Sequence, residues 1–237
     1  VSAATPLVLL DTPQGSLPLK ATLERVPEDS DAQVAATIRR MCEYVNFDCQ
    51  AGPIRYDAQS AIDRDPRNPL AGIHSLVRDR LRFRKDEALT QPFEWMLKKP
   101  EQDYFVECLK RPIDVALEFH STGVQVEGDC DDFSMYTAAL LRALGIDCAF
   151  ATVGANPDEP GIFSHVYVVA YWRGARIPMD CSHGPCAGWE YAAPGSGLRH
   201  CEWPIHDRAS YGLVGLGFLA LAWLAWQNRE TIREVFA

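Results

Sequence analysis

Apolar residues recur at helical spacing over three stretches of the chain and run together, strand-like, over two others. Val34, Ile38, Met41, Cys42 and Val45 form the first stripe, which predicts an amphipathic helix capped by Ser30 or Asp31. Asn68 and Pro69 supply a cap and a first helical residue for the second: Leu70, Ile73, Leu76, Val77 and Leu81. Gln50–Pro69, polar and holding three prolines, reads as a long connection between the two helices. Asp129 caps a third helix, whose stripe Phe133, Tyr136, Leu140, Leu141 and Leu144 stops at Gly145. Beyond it, Cys148–Val153 (CAFATV) reads as a short buried strand. Phe163–Trp172 (FSHVYVVAYW) has the β-branched and aromatic content of a central strand. Arg173-Gly174 can turn that strand back into Ala175–Cys181 as a hairpin. Helices followed by antiparallel strands make the fold class α+β.

The remaining segments are less patterned. Thr5–Asp11 (TPLVLLD) is a short extended apolar run, after which Pro13, Gly15 and Pro18 mark loop. Residues 86–127 are broken by Pro92, Pro100 and Pro112 and show no periodicity that assigns an element. Ser182–Arg208 is rich in Gly, Pro and Trp and reads as loop. Tyr211–Trp226 (YGLVGLGFLALAWLAW) is 16 residues without a charge, short of the ~20 that usually span a bilayer. It is apolar on every side, more than one domain surface covers, and no basic cluster stands beside it. Docking onto another protein or a second copy therefore leads, ahead of a membrane anchor and of a helix in the domain's own core. The resulting division is an N-terminal arm (1–29), a central domain (30–208) and an apolar C-terminal helix (209–237).

Composition narrows the partners. With 23 Lys+Arg against 32 Asp+Glu, the 237-residue chain carries a formal charge of −9, which disfavours nucleic acid and anionic lipid as non-specific partners. Arg78–Lys85 (RDRLRFRK) is the one basic run, and it reads as the solvated face of a helix passing into a strand. Eight cysteines suggest a disulfide framework. Yet a chain this long needs no staples, and Val1–Leu10 lacks the basic stretch of a secretory leader. Cys42, Cys49, Cys108 and Cys148 are therefore expected as buried thiols in a reducing compartment. Cys181, His183, Cys186, His200 and Cys201 match no common zinc spacing, so neither metal nor cofactor is expected.

A nucleophilic cysteine needs a lowered thiol pKa, a base in reach and a group that orients the base. Cys130 falls in the first turn of the third helix, where unpaired N–H groups and the helix dipole favour a thiolate and can bind an oxyanion. His165 interrupts a strand of Val, Tyr and Trp. If Arg173-Gly174 is a two-residue turn, His165 faces Ser182, and Asp180 is its diagonal neighbour on the same sheet face. A three-residue loop would put Asp180 on the opposite face. Asp129, Asp131 and Asp132 crowd Cys130 and oppose its ionisation unless they cap the helix or face water. Activation must then come from a close imidazole.

Gly128–Gly145 (GDCDDFSMYTAALLRALG), Ser164–Val169 (SHVYVV) and Ile177–Asp180 (IPMD) resemble the core motifs of the transglutaminase-like superfamily. Gly188–Glu190 (GWE) and Arg199–Pro204 (RHCEWP) resemble transglutaminase-like proteins of tailed phages and prophages. The resemblance implies a papain-like core, with a nucleophile helix packed on an antiparallel sheet and a Cys130, His165, Asp180 triad. Gln125 is the candidate for the family's side-chain oxyanion donor upstream of the cysteine. The implied activity is acyl transfer on amide bonds of a protein or peptide substrate. Hydrolysis is favoured over transamidation because the extra domains and calcium sites of animal crosslinking enzymes are missing from this sequence. The rival expectation is a virion structural or assembly protein that keeps the fold without essential catalysis. Either implies a cytoplasmic or virion-associated protein, with membrane contact through the C-terminal helix as one option.

The apolar tail yields the first prediction. Deleting residues 211–237 should leave a folded, thiol-reactive domain while abolishing self-association or vesicle binding, read by gel filtration and flotation. A truncated chain that fails to fold would place the segment in the core instead.

Overall fold

The computed structural model describes residues 22–25, 30–85, 106–191 and 196–206, all but His206 within one unit, Val1–Ile205. The expectations for Thr5–Asp11 and Tyr211–Trp226 lie outside the described residues, as do the side chain of Cys108 and nearly all of the expected arm. Five helices are present among the described residues: α1 (Ser30–Asp48), α2 (Gly52–Arg64), α3 (Pro69–Arg80), α4 (Pro112–Thr122) and α5 (Cys130–Ala143). The strands are β1 (Thr22–Arg25), β2 (Leu81–Phe83), β3 (Val106–Leu109), β4 (Val126–Gly128), β5 (Asp147–Val153), β6 (His165–Trp172), β7 (Ala175–Met179) and β8 (His200–Pro204). No described helix is long and apolar enough to cross a membrane.

The three predicted helices form where their stripes place them, with Ile38, Met41 and Val45 of α1 and Ile73, Leu76 and Val77 of α3 buried in one core. Asn68 caps α3, its side chain accepting from the Ala71 N–H at 3.3 Å. The connection expected over Gln50–Pro69 is instead mostly helix α2. Pro53 sits in its first turn, where it lacks no needed N–H, and Ile54, Ala58 and Ala61 bury one narrow face. Polar residues on the other three sides hide that period in the sequence. Likewise α4 emerges from the unassigned stretch. It starts at Pro112 and ends on Gly123, whose φ of 67° is the left-handed conformation a glycine adopts freely. Asp48 at the end of α1 caps α4 from outside, accepting from the Ile113 N–H at 3.2 Å and pairing with Arg111.

α5 is the central element. Its residues from Asp132 to Leu141 are all buried, not only the predicted stripe, because helices flank it and the sheet lies beneath. Small Ser134, Thr137, Ala138 and Ala139 let those neighbours approach. Asp57 of α2, with no solvent exposure, ties the helices together. It accepts from Arg80 of α3 at 3.1 Å, His120 of α4 at 3.0 Å and the Tyr136 hydroxyl of α5 at 2.5 Å.

The main sheet is antiparallel in the order β7-β6-β5-β8. Phe150, Val166, Val168 and Ala170 belong to the same core as α5, while Ala151, Val153, Tyr167 and Val169 form a second cluster. Arg173 and Gly174 both have positive φ (53° and 77°), the requirement of a two-residue type I′ turn. The hairpin register follows, with Val168 opposite Met179 and Trp172 opposite Ala175. β8 was not expected; the segment read as loop pairs along β5, and Pro204 closes it at the sheet edge, where a missing N–H costs nothing. β1, within the expected arm, pairs antiparallel with β3. β2 runs parallel to β4, and Arg82 and Arg84 both hold Glu127 there. Three arginines of the basic run thus meet acidic side chains within the fold, Arg80 at Asp57 and Arg82 and Arg84 at Glu127.

Gly72 marks the tightest helix crossing. A Cβ there would lie 2.0 Å from the Ala61 carbonyl oxygen, a backbone atom that cannot step aside. Gly72→Ala should cost about 1–3 kcal/mol, which lowers Tm by roughly 2–10 °C. Gly52→Ala, with open space around its Cβ, should leave Tm near the parent value; calorimetry of the two variants separates overpacking from a mere loss of glycine.

Candidate active site

α5 begins where β4 delivers the chain to Asp129. That side chain caps the helix, accepting from the Asp131 N–H at 3.0 Å. Gly128 is required one residue earlier, since a Cβ would stand 2.6 Å from Asp132 Oδ2. Asp132 turns inward, and its Oδ1 accepts from the Lys110 N–H at 2.8 Å. Burial, followed by the charge of Asp129, pushes the Asp132 carboxyl well above the ordinary range. Of the three acids crowding Cys130 in sequence, one thus caps the helix and one is buried. The third stays beside the thiol, which donates to Asp131 Oδ1 at 3.9 Å.

Cys130 and His165 line the same cavity, which has a volume of about 290 Å³. One wall is the first two turns of α1, from Ser30 to Ile38; another is Ile162–Val166 as the chain enters β6. Asp129, Asp131 and Thr152 of β5 complete the lining, and no Lys or Arg lines it among the described residues. Ser134 of α5 donates to the Val166 carbonyl at 3.1 Å, which locks the helix to the start of the histidine strand.

His165 is buried and bonded through Nε2 to Asp180 Oδ2 at 2.9 Å. An ionised carboxylate only accepts, so Nε2 carries the proton and Nδ1 is the ring nitrogen left to take another. The type I′ register places Asp180 on His165's face one residue beyond β7, as the two-residue turn predicts. Burial works against the Asp180 carboxylate. Bonds from His165, Ser182 and the His183 N–H outweigh it and hold its pKa below the usual carboxylate value. Around the imidazole stand the rings of His183 at 4.8 Å, Tyr167 at 6.0 Å and Tyr191 at 6.0 Å.

Gln125 is not brought to this cavity. Its amide donates to the Arg78 carbonyl at 2.8 Å and the Leu81 carbonyl at 3.4 Å, closing the end of α3. The expected oxyanion donor at Gln125 is thus bonded to the end of α3 and is not among the residues lining this cavity. The α1 wall and the His183 ring were not anticipated at the site; Ser182 was placed opposite His165 by the two-residue turn, but without a role. Besides that register, the Asp-x-Ser spacing of Asp180 and Ser182, a common turn pattern, signals the contact between them.

Cys181, Cys186, His200 and Cys201 do not gather. Cys181 is buried, and burial pushes its thiol up to about 12. Cys186 is exposed, and His200 contacts the Tyr167 hydroxyl at 3.3 Å. Among the described residues, three potential metal ligands lie within 4.8 Å of one another in two groups, His165–Asp180–His183 and Asp129–Cys130–Asp131. Cys49 and Cys148 are buried as expected, Cys42 is half-buried, and burial pushes the Cys148 thiol up to about 12.

No protein-family model matches the chain, and no curated protein matches its sequence. Among solved structures, it is similar to a "putative cysteine protease" from Cytophaga hutchinsonii at 18% identity and a TM-score of 0.37. The overlap covers 76% of this chain and 56% of that one. So remote a likeness leaves activity to be argued from the residues themselves.

Asp180 has a pH consequence. Its folded-state pKa is lowered from an unfolded value of ~3.9. The stability it contributes is complete above that value and is lost as pH falls through the folded-state pKa. Urea titrations from pH 6 to pH 2.5 should show wild type and Asp180→Asn converging at the acid end. A constant gap at every pH would remove the carboxylate's linkage to folding.

Proposed function

We propose that the chain is a cysteine-dependent acyl-transfer enzyme acting on amide bonds of a protein or peptide, with Cys130 as nucleophile, His165 as base and Asp180 as its orienting group. The observation that carries this reading is the shared cavity: Cys130 and His165 are both among its lining residues, and His165 Nε2 is bonded to Asp180. The transglutaminase-like motifs around the three residues imply the same roles in the same order.

In the first step Cys130 Sγ attacks the carbonyl carbon while its proton passes to His165 Nδ1. The resulting oxyanion develops beside the N-terminus of α5. There the helix dipole favours negative charge, and the Cys130 N–H is the proposed donor. The Asp131 N–H is not counted, because Asp129 occupies it. Collapse breaks the C–N bond, and His165 returns the proton to the leaving amine. Water, deprotonated by His165, then cleaves the thioester and restores the thiol. Hydrolysis is the reading preferred over transamidation.

Asp131 sharpens the requirement on His165. A carboxylate beside a thiol opposes its ionisation, so this site needs the imidazole more than a nucleophile at an uncluttered helix start would. Alkylation by iodoacetamide, followed by peptide mass mapping, should label Cys130 faster than the buried Cys49, Cys148 and Cys181. His165→Ala should slow Cys130 by at least about tenfold. Unchanged labelling of Cys130 in that variant would remove the base from the mechanism, and with it the proposed activity.

A further inference from the structure

Asp180 is held on both oxygens. Oδ2 faces His165, while Oδ1 accepts from the Ser182 hydroxyl at 2.9 Å and from the His183 N–H at 3.1 Å. The Ser182 oxygen is within 2.9 Å of His183 Nδ1. Because Ser182 gives its one proton to the carboxylate, its oxygen is the acceptor and His183 Nδ1–H the donor. The bonds form a single line: His183 to Ser182, Ser182 to Asp180, and His165 to the other side of Asp180. At its far end the His183 ring stands edge-on to His165 at 4.8 Å and against Phe83 at 4.9 Å.

The turn that carries this line is fixed from α3. Arg78 Nη1 donates to the Gly184 carbonyl at 2.9 Å and to the Cys181 carbonyl at 3.4 Å, and His74 Nε2 meets the same Gly184 oxygen at 3.1 Å. The Gly184 N–H closes back onto the Asp180 carbonyl at 2.8 Å. Gly184 has no room for a side chain, since a Cβ would lie 2.5 Å from the Asp180 carbonyl oxygen and 2.8 Å from the Trp189 ring. A carboxylate just beyond the end of a strand would otherwise rotate about χ1 and χ2, and either oxygen could turn to water.

We infer that Ser182 is a positioning residue of the site: its hydroxyl, with the His183 N–H, fixes Asp180 Oδ1 so that Oδ2 is presented to His165 Nε2. The inference rests on the Cys130–His165–Asp180 reading and extends it to the turn behind the triad. Ser182 touches no reacting atom. It acts by keeping the imidazole tautomer and ring direction set when the proton moves, as outer partners of a ligating or catalytic histidine do elsewhere. Losing its donated bond also raises the basicity of the carboxylate, so Asp180 protonates at higher pH.

The test is the pH–rate profile for alkylation of Cys130 by iodoacetamide in wild type, Ser182→Ala, Ser182→Thr and His165→Ala, with Tm measured for each. Ser182→Ala should slow labelling at neutral pH by roughly 3- to 10-fold, the worth of one hydrogen bond, and should move the acid limb to higher pH. Ser182→Thr, which keeps the hydroxyl, should restore both. A merely structural role would lower Tm and leave the acid limb in place. If His165→Ala slows labelling while Ser182→Ala matches wild type in rate and acid limb, the positioning role is overturned and the triad stands. If His165→Ala has no effect, the reading beneath it falls. Should Ser182→Ala fail to fold, Ser182→Cys, which keeps a weaker donor of similar size, must give an intermediate limb shift; a wild-type profile from that variant equally overturns the inference.

Discussion

A carboxylate buried among helices decides how this molecule is put together. Asp57 has no solvent exposure, and an unpartnered carboxylate in such a place would be prohibitive. Its three partners come from three other helices: Arg80, His120 and Tyr136. Moving any of these helices leaves the carboxylate short of a donor, so α2, α3, α4 and α5 are constrained together. The constraint reaches the site because α5 holds Tyr136 at its middle and Cys130 at its start. A second buried acid, Asp132, ties the first turn of α5 to Lys110.

Acidic residues repeat this role elsewhere. Asp48 closes the N-terminus of α4 from the end of α1, Asp129 caps α5, and Glu127 gathers Arg82 and Arg84 where β2 meets β4. Several acids are internal acceptors for backbone N–H groups that helix ends would otherwise leave unsatisfied. Asp180 belongs to the same pattern, with the difference that one of its donors is His165, a residue that also lines a cavity. The candidate chemistry thus uses a device on which the rest of the fold already depends: a buried carboxylate kept in place by several donors at once.

Local pattern carried a large part of this structure. The stripes of α1, α3 and α5 repeat every three to four residues, and Asn68, Asp129 and Gly145 punctuate them, so sequence alone placed those elements. Arg173-Gly174 offered a two-residue turn in sequence, and the structure adopts it with positive φ at both residues; that turn set the parity putting His165 and Asp180 on one face. Those relations involve neighbours along the chain or directly across a hairpin. α2 and β8 escaped because their buried faces are narrow or their pairing partner lies some 50 residues away. The all-round burial of α5 escaped because burial depends on what packs against a helix. The partners of Gln125 were illegible for a related reason: its amide bonds carbonyls at the end of α3, a contact across more than 40 residues. The α1 wall of the cavity and the fixing of the Asp180 turn by His74 and Arg78 belong to the same class. Sequence period records which face of an element is apolar and where the element stops; which distant backbone groups a polar side chain will meet is set only when the helices close around their buried acids.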